Sequence, residues 1–357
     1  MRHGRQRMPG FDPVADIRRV NCVPARIEGN RMNRRDAVLA LLALGVVPLA
    51  SFAQQPAKIG RIGFLTTFPS DNDPRFEVFK QKLRDLGHVE GKTIAIDYLS
   101  AEGKYDRLPA LAADLVRRNV GVIMVDGGTP ATIAAKNATK TIPIVFAALN
   151  DPVSQGIVAS LARPGGNVTG NTNQGRDTAN KSIELLKEIV PSAKRIAILT
   201  NPTNSSLPLV ISDIQAAAKT LRLEVAVVNA KTPGEFDGAF AEIAHARHSG
   251  VVIPADPLFN SEAGRLTTLA AKYRLPTMGT INNVPESGGL MSYGANRPDL
   301  LRRAAIMVDK ILKGAKPADL PVEQPVKFDL IVNKRTARDL GIKIPDSILL
   351  RADKVIE

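Results

Sequence analysis

From residue 58 onward, short apolar runs alternate with amphipathic stretches, and the rhythm restarts once along the chain. Residues 61–65 read as a buried strand. Phe76, Phe79, Leu83 and Leu86 then fall at helical spacing over 74–86, opened by Pro74 and closed by Gly87. The same rhythm predicts strands over 93–99, 120–125 and 142–147, with helices over 108–118 and from 131. A second series predicts helices over 179–189, 209–221, 232–246 and 263–273, and strands over 195–199, 224–228, 250–253 and 276–279. The tail adds a strand over 289–294, an amphipathic helix over 298–313 closed by Gly314, a strand over 327–332 and a short helix over 336–340. Alternation of this kind predicts an α/β fold with parallel sheets and right-handed crossovers.

Between the two series lies Asn150-Asp151-Pro152-Val153, followed by a stretch over 160–170 that contains Arg163-Pro164-Gly165-Gly166-Asn167 and ends at Gly170. The prolines stop regular structure and the glycines open backbone angles closed to other residues. Such a segment suits a chain leaving one lobe for another. With the Gly-rich passage at 289–294 and the Pro-rich linker at 316–325, it divides the chain into four blocks, as three inter-lobe crossings would. The expectation is two Rossmann-like lobes: 58–148 plus 287–316, and 149–286 plus 326–357.

A length of 357 residues agrees with two domains. The first 53 residues carry nine Arg and four acids, and so account for +5 of the formal net charge of +13. They include Arg34-Arg35, an apolar run over 37–50, and Ser51-Phe52-Ala53 before Gln54. That is the layout of a cleavable signal peptide, too short in its apolar run to span a bilayer of about 30 Å. Met32 would make a well-formed start, so residues 1–31 are expected not to be translated, 32–53 to be the signal, and the mature chain to begin near Gln54. The basic balance of the body lacks any Lys/Arg cluster interleaved with aromatics, which are only 4% of the chain. No nucleic-acid partner is therefore expected. The single cysteine, Cys22, stands in the leader and leaves the body without a disulfide or thiolate site.

Motifs for chemistry are missing. Residues 170–177 carry Arg and Asp where a phosphate loop needs Lys and Ser/Thr, no Gly-x-Gly-x-x-Gly follows a predicted strand, and no Gly-x-Ser-x-Gly elbow occurs. His245 and His248 share a helix face at i, i+3 and read as a surface pair. Neither an enzyme activity, nor a cofactor, nor a metal site is expected.

Several segments together resemble the substrate-binding family of ABC transporters with the type I periplasmic binding fold, whose relatives include tryptophan- and phenylalanine-binding proteins. They are Asn150-Asp151-Pro152-Val153, the run 162–170, Met291-Ser292-Tyr293-Gly294, the run 313–321, and the ending 341–353. The resemblance spans about residues 58–357. It implies an exported, periplasmic, monomeric receptor that closes two lobes on a small polar solute, an amino acid by family analogy. It also implies delivery to an inner-membrane permease with a separate ATPase. A soluble α/β enzyme or a ligand-sensing regulator could share the two-lobed plan, although a regulator would carry a DNA-binding segment where this chain has its leader.

In parallel α/β sheets, ligands bind where loops leave the carboxyl ends of strands. In the first lobe this singles out Thr66, Ser70, Gly127, Thr129, Asn150 and Asp151. In the second it singles out Asn173, Asn201, Ser205, Ser206 and Asp256, with Tyr293 joining from the returning strand. Helix starts at Thr129 and at Ser205-Ser206 suit a carboxylate, and Asp256 or Asp151 can pair with an amine. Thr129 and Ser206 read equally well as helix caps, and Asp151 as a turn residue before Pro152.

Overall fold

The structure is a computed structural model that describes residues 59–68, 73–280 and 283–357. The expected signal peptide, start site and cleavage point lie outside the described residues, as does Ser70. No helix among the described residues is long and apolar enough to cross a membrane.

The first series builds β1 (Gly60–Thr66), α1 (Pro74–Asp85), β2 (Ile94–Ser100), α2 (Leu108–Arg117), β3 (Val122–Asp126), α3 (Gly128–Ala138), β4 (Ile144–Leu149) and β5 (Val168–Thr172). The second builds α4 (Gly175–Ile189), β6 (Arg195–Thr200), α5 (Leu207–Thr220), β7 (Glu224–Asn229), α6 (Phe236–His245) and β8 (Val251–Ile253). It continues through α7 (Pro257–Ser261), α8 (Ala263–Lys272), β9 (Thr277–Gly279), α9 (Asn283–Glu286) and β10 (Met291–Ala295). The tail supplies α10 (Arg297–Leu312), β11 (Phe328–Asn333), α11 (Lys334–Leu340), α12 (Asp346–Arg351) and β12 (Lys354–Ile356).

Two sheets result, ordered β2-β1-β3-β4-β5 and β12-β11-β10-β9-β8-β6-β7. Their central strands are buried on both faces, as near-continuous apolar runs require. In the first lobe Ile62 and Phe64 point into one core with α1 and α10, while Leu65 points into the other with α2 and α3. Phe64 anchors the former, with ring centroids 4.7 Å from Phe76 and 5.4 Å from Phe79. In the second lobe α4 and α5 cover one face, and α6, α7 and α8 the other.

Three passages join the lobes, but two strands change places relative to the expected boundaries. The strand 168–172 belongs to the first sheet, where it pairs in parallel with β4. The strand 291–295 belongs to the second, where it pairs with β9. The chain therefore crosses at Asn173-Gln174, where Gln174 is left-handed (φ 49°), again at Asn296, and finally between Glu323 and β11. The sheets are parallel as expected except at one pair, where β11 runs antiparallel to β10. The reason is geometric: β10 leaves the second lobe at the hinge end, and β11 re-enters it from that same end, opposite Ala295.

The last passage runs beside the first. Glu323 N–H donates to the Gly170 carbonyl (2.9 Å), Thr172 N–H donates to the Glu323 carbonyl (2.8 Å), and Thr169 Oγ1 donates to the Leu320 carbonyl (2.7 Å). Buried Asn171 extends the tie, its amide donating to the carbonyls of Ala147 and Leu300. Gly170 also lets β5 lie close against β4, since a Cβ there would lie 2.2 Å from the Phe146 carbonyl oxygen and 2.6 Å from its ring.

Gly170→Ala should accordingly lower the unfolding free energy by about 2–3 kcal/mol, seen as a lower urea midpoint. A wild-type midpoint would show that the β4–β5 approach is not tight.

Candidate functional site

Loops from the two lobes meet across one gap. Asp256 follows β8, is fully buried, and caps α7 by accepting from the N–H groups of Leu258 (2.8 Å) and Phe259 (3.3 Å). Its carboxylate also accepts from the Asn204 amide (2.8 Å) and the Asn201 amide (3.4 Å to each oxygen). The last donor comes from the other lobe: the Tyr105 hydroxyl stands 3.3 Å from both oxygens and itself accepts from Leu258 N–H. All these donors are neutral. Burial consequently pushes the Asp256 carboxyl above its usual range, with the hydrogen bonds from Asn204, Phe259, Asn201 and Leu258 pulling the other way. Burial, and then the Asp256 charge, push the Tyr105 hydroxyl up in turn.

A second contact across the gap joins Asn150 to Ser206 (3.5 Å), and the backbone at Gly128 lies against Pro257. The lobes are thus closed on each other. Between these contacts and the chain crossings they enclose a cleft of about 590 Å³, within the range of small-molecule sites.

The first-lobe wall is set by two helix starts. Asp73 caps α1 and pairs with Arg75, whose guanidinium lies 3.4 Å over the Phe68 ring. Asn296 caps α10, placing Arg297 where it pairs with the buried Asp126 carboxylate. The second-lobe wall carries Asp329 on β11, whose carboxylate takes both bonds from the Asn296 amide (2.9 and 3.0 Å). Asp353 stands next to it, accepting from Leu330 N–H (2.8 Å), and Lys354 pairs with Glu286 (2.7 Å). Two side-chain carbonyls of the lining, those of Asn173 and Asn283, are buried without a partner among the described residues. Such groups call for an N–H donor from elsewhere.

Among the described residues expected from the sequence, only Asn150 and Asn173 line this cleft. Asn201, Ser206 and Asp256 belong to the buried inter-lobe network, with Ser206 donating to Asn204. Thr66 is buried and braces its loop, donating to the Asp126 carbonyl. Gly127 is the cap position of α3, where a Cβ would meet that of Ala131 at 2.5 Å, and Thr129 is buried inside the helix. Ser205 is exposed. Asp151 is exposed as well and accepts from Ser154 N–H, the turn role that its place before Pro152 allows. It borders a separate cavity of about 250 Å³.

Tyr293 needs correcting. Strand alternation turns it away from the cleft, onto Phe328 (centroids 5.9 Å) and the core under α4. The histidines also differ from expectation, since His248 is buried with Nδ1 on the Ile243 carbonyl while His245 is exposed. Arg75, Arg297, Asp329 and Tyr105 escaped the sequence argument. Asn296-Arg297-Pro298-Asp299 has the signature of a helix start and could have flagged Arg297. Nothing local links Tyr105 to Asp256, 151 residues away.

A family model described as ABC transporter substrate binding protein matches residues 72–356. A tyrosine-binding protein of Clostridioides difficile is 28% identical over 265 residues, covering 74% of this chain and 76% of that one. An ABC domain from Streptococcus pneumonia in complex with L-Trp superposes with a TM-score of 0.78 at 27% identity, covering 83% of this chain and 99% of the other. A ligand-free, open substrate-binding protein with adhesive properties from Clostridium difficile is about as similar in sequence (25%, over 84% and 99% of the two chains). Its TM-score is only 0.61, which agrees with the closed lobes seen here.

The buried Asp256 has a signed consequence. Its carboxyl lies above the ordinary 3.8 in the folded chain, so the folded state holds that proton more tightly than the unfolded one. The stability it contributes is greatest at acid pH and is lost as pH rises from 3.8 through the raised value. Across that rise, urea titrations should show wild-type stability falling relative to Asp256→Asn. Parallel pH profiles for the two proteins would contradict it.

Proposed function

We propose that this chain, which belongs to the ABC transporter substrate-binding protein family, is an exported monomeric receptor for a free amino acid. It closes its lobes on the solute and hands it to a membrane permease driven by a separate ATPase. The observation that carries the amino-acid assignment is the cleft itself. It is about 590 Å³, holds both guanidinium groups and carboxylates in its lining, and buries the carbonyls of Asn173 and Asn283 without a partner among the described residues. A free amino acid brings the matching groups, a carboxylate for the arginines and N–H donors for the amides and acids.

Relatives named for tyrosine binding and for a complex with L-Trp support the same class of solute. The described lining has no histidine or cysteine to serve as nucleophile or base, which favours a receptor over an α/β enzyme. Export rests on the leader pattern around Arg34-Arg35 and Ser51-Phe52-Ala53.

A thermal-shift screen of the purified chain against amino acids, sugars, nucleosides and small organic acids tests the assignment. A ligand at about 100 times its Kd should add about 2.7 kcal/mol of stability, and an amino acid should give the saturable shift. Asn173→Ala should weaken that ligand about fivefold or more while leaving the ligand-free midpoint close to wild type. A saturable shift from sugars or nucleosides alone would overturn the amino-acid assignment.

A further inference from the structure

Tyr105, Asp256, Asn201 and Asn204 stand outside the lining of the cleft, so their contacts form whether or not a solute lies there. Each side of this inter-lobe contact is fixed by its own lobe. The Tyr105 ring packs on the first-lobe core between α2 and α3. The loop that carries it is pinned to the end of β1, where Ala101 N–H donates to the Thr66 carbonyl (2.9 Å) and Gly103 N–H to the Thr67 carbonyl (2.7 Å). Asp256 is held in turn by capping α7. Only the phenol hydroxyl reaches across, 3.3 Å from both carboxylate oxygens, with Leu258 N–H donating back to it (3.2 Å). The same loop meets the far end of α7, where a Cβ on Gly103 would lie 4.0 Å from Ser261 Oγ.

Closing the lobes takes the Asp256 carboxylate out of water, which costs free energy unless other donors replace that water. Asn201, Asn204, Leu258 and Phe259 belong to the same lobe as Asp256 and move with it. Among the donors that the described residues provide, Tyr105 alone arrives with closure. We propose, building on the receptor reading above, that Tyr105 is a positioning residue that latches the closed form. Its hydroxyl holds the lobes together without touching the solute and so sets how fast the cleft opens. A side chain that touches the solute acts chiefly on the rate of release. A latch that favours the closed form with and without solute slows entry and release together, and moves Kd less than either rate.

Small-angle X-ray scattering of the purified chain without solute reads closure directly. The wild-type profile should fit the closed structure. Tyr105→Phe removes one oxygen and keeps the ring on its core. It should shift the balance at least about tenfold toward the open form, the size of one hydrogen bond to a charged group. The radius of gyration should rise while the far-UV circular dichroism stays that of the wild type. In an Asp256→Asn background, where no charge is buried, the same change should open the chain less. An open wild type, an unchanged radius in Tyr105→Phe, or an equal increase in both backgrounds would each overturn the latch. Stopped-flow binding of L-tryptophan and L-tyrosine supplies the second readout. Association and release should both be about tenfold faster in Tyr105→Phe, whereas faster release with unchanged association would make Tyr105 a solute contact and overturn its role as a latch. Failure of every L-amino acid to bind would remove the receptor reading, and the scattering would then decide the latch by itself.

Discussion

The chain passes between its lobes three times at one edge, and that constraint organises everything else. The first and third passages are hydrogen-bonded side by side through Gly170, Thr172 and Glu323, and the second feeds β10 into α10. With three strands of backbone tied there, the lobes can approach or separate chiefly about that edge, as in hinge motions between domains. The carboxyl ends of both parallel sheets are thereby turned toward one gap. Loops that would be unremarkable on a single lobe become the two walls of a cleft.

Polar groups at that gap are handled in two ways. Asp256 is sealed off, surrounded by amide, N–H and hydroxyl donors and, among the described residues, by no cation. Its ionised form is held by hydrogen bonds alone, and one of those donors, Tyr105, is present only while the lobes touch. Closure thus completes the shell of a buried carboxylate, which couples the geometry of the gap to its charge. The cleft behind it keeps its charges in contact with space: arginines at the starts of α1 and α10, carboxylates at the end of β11 and beside β12. One region acts as a joint between lobes and the other leaves an open cleft, although both lie at strand ends.

How much of this was legible along the chain depends on the range of the interaction. Helix α1 could be read from Pro74 and the spacing of Phe76, Phe79 and Leu83, all of which are buried. The α/β alternation, the two series and the existence of three crossings were readable for the same reason. Strand ownership was not, because 168–172 and 291–295 are each compatible with either sheet until their hydrogen-bonding neighbours are known. Site residues divided similarly. The cleft does lie among strand-end loops, and Asn150 and Asn173 line it. Asn201, Ser206 and Asp256 have the composition of ligand-binding residues, yet they spend their hydrogen bonds within the inter-lobe network, on Asn204, Asn150 and Tyr105 as well as on one another.

What the sequence determined by itself was local and periodic: the elements, their order, the Pro- and Gly-rich breaks between blocks, and through these the family. Helical and strand spacing, caps and turns act within a few residues and so leave a signature in the chain. Only the tertiary structure decided which side chains share the cleft. Arg297 with Asp126, Asp329 with Asn296, and Tyr105 with Asp256 are set by sheet order and lobe closure. All join residues far apart in sequence, and burial separates the carboxylate that holds the lobes together from those that line the cleft.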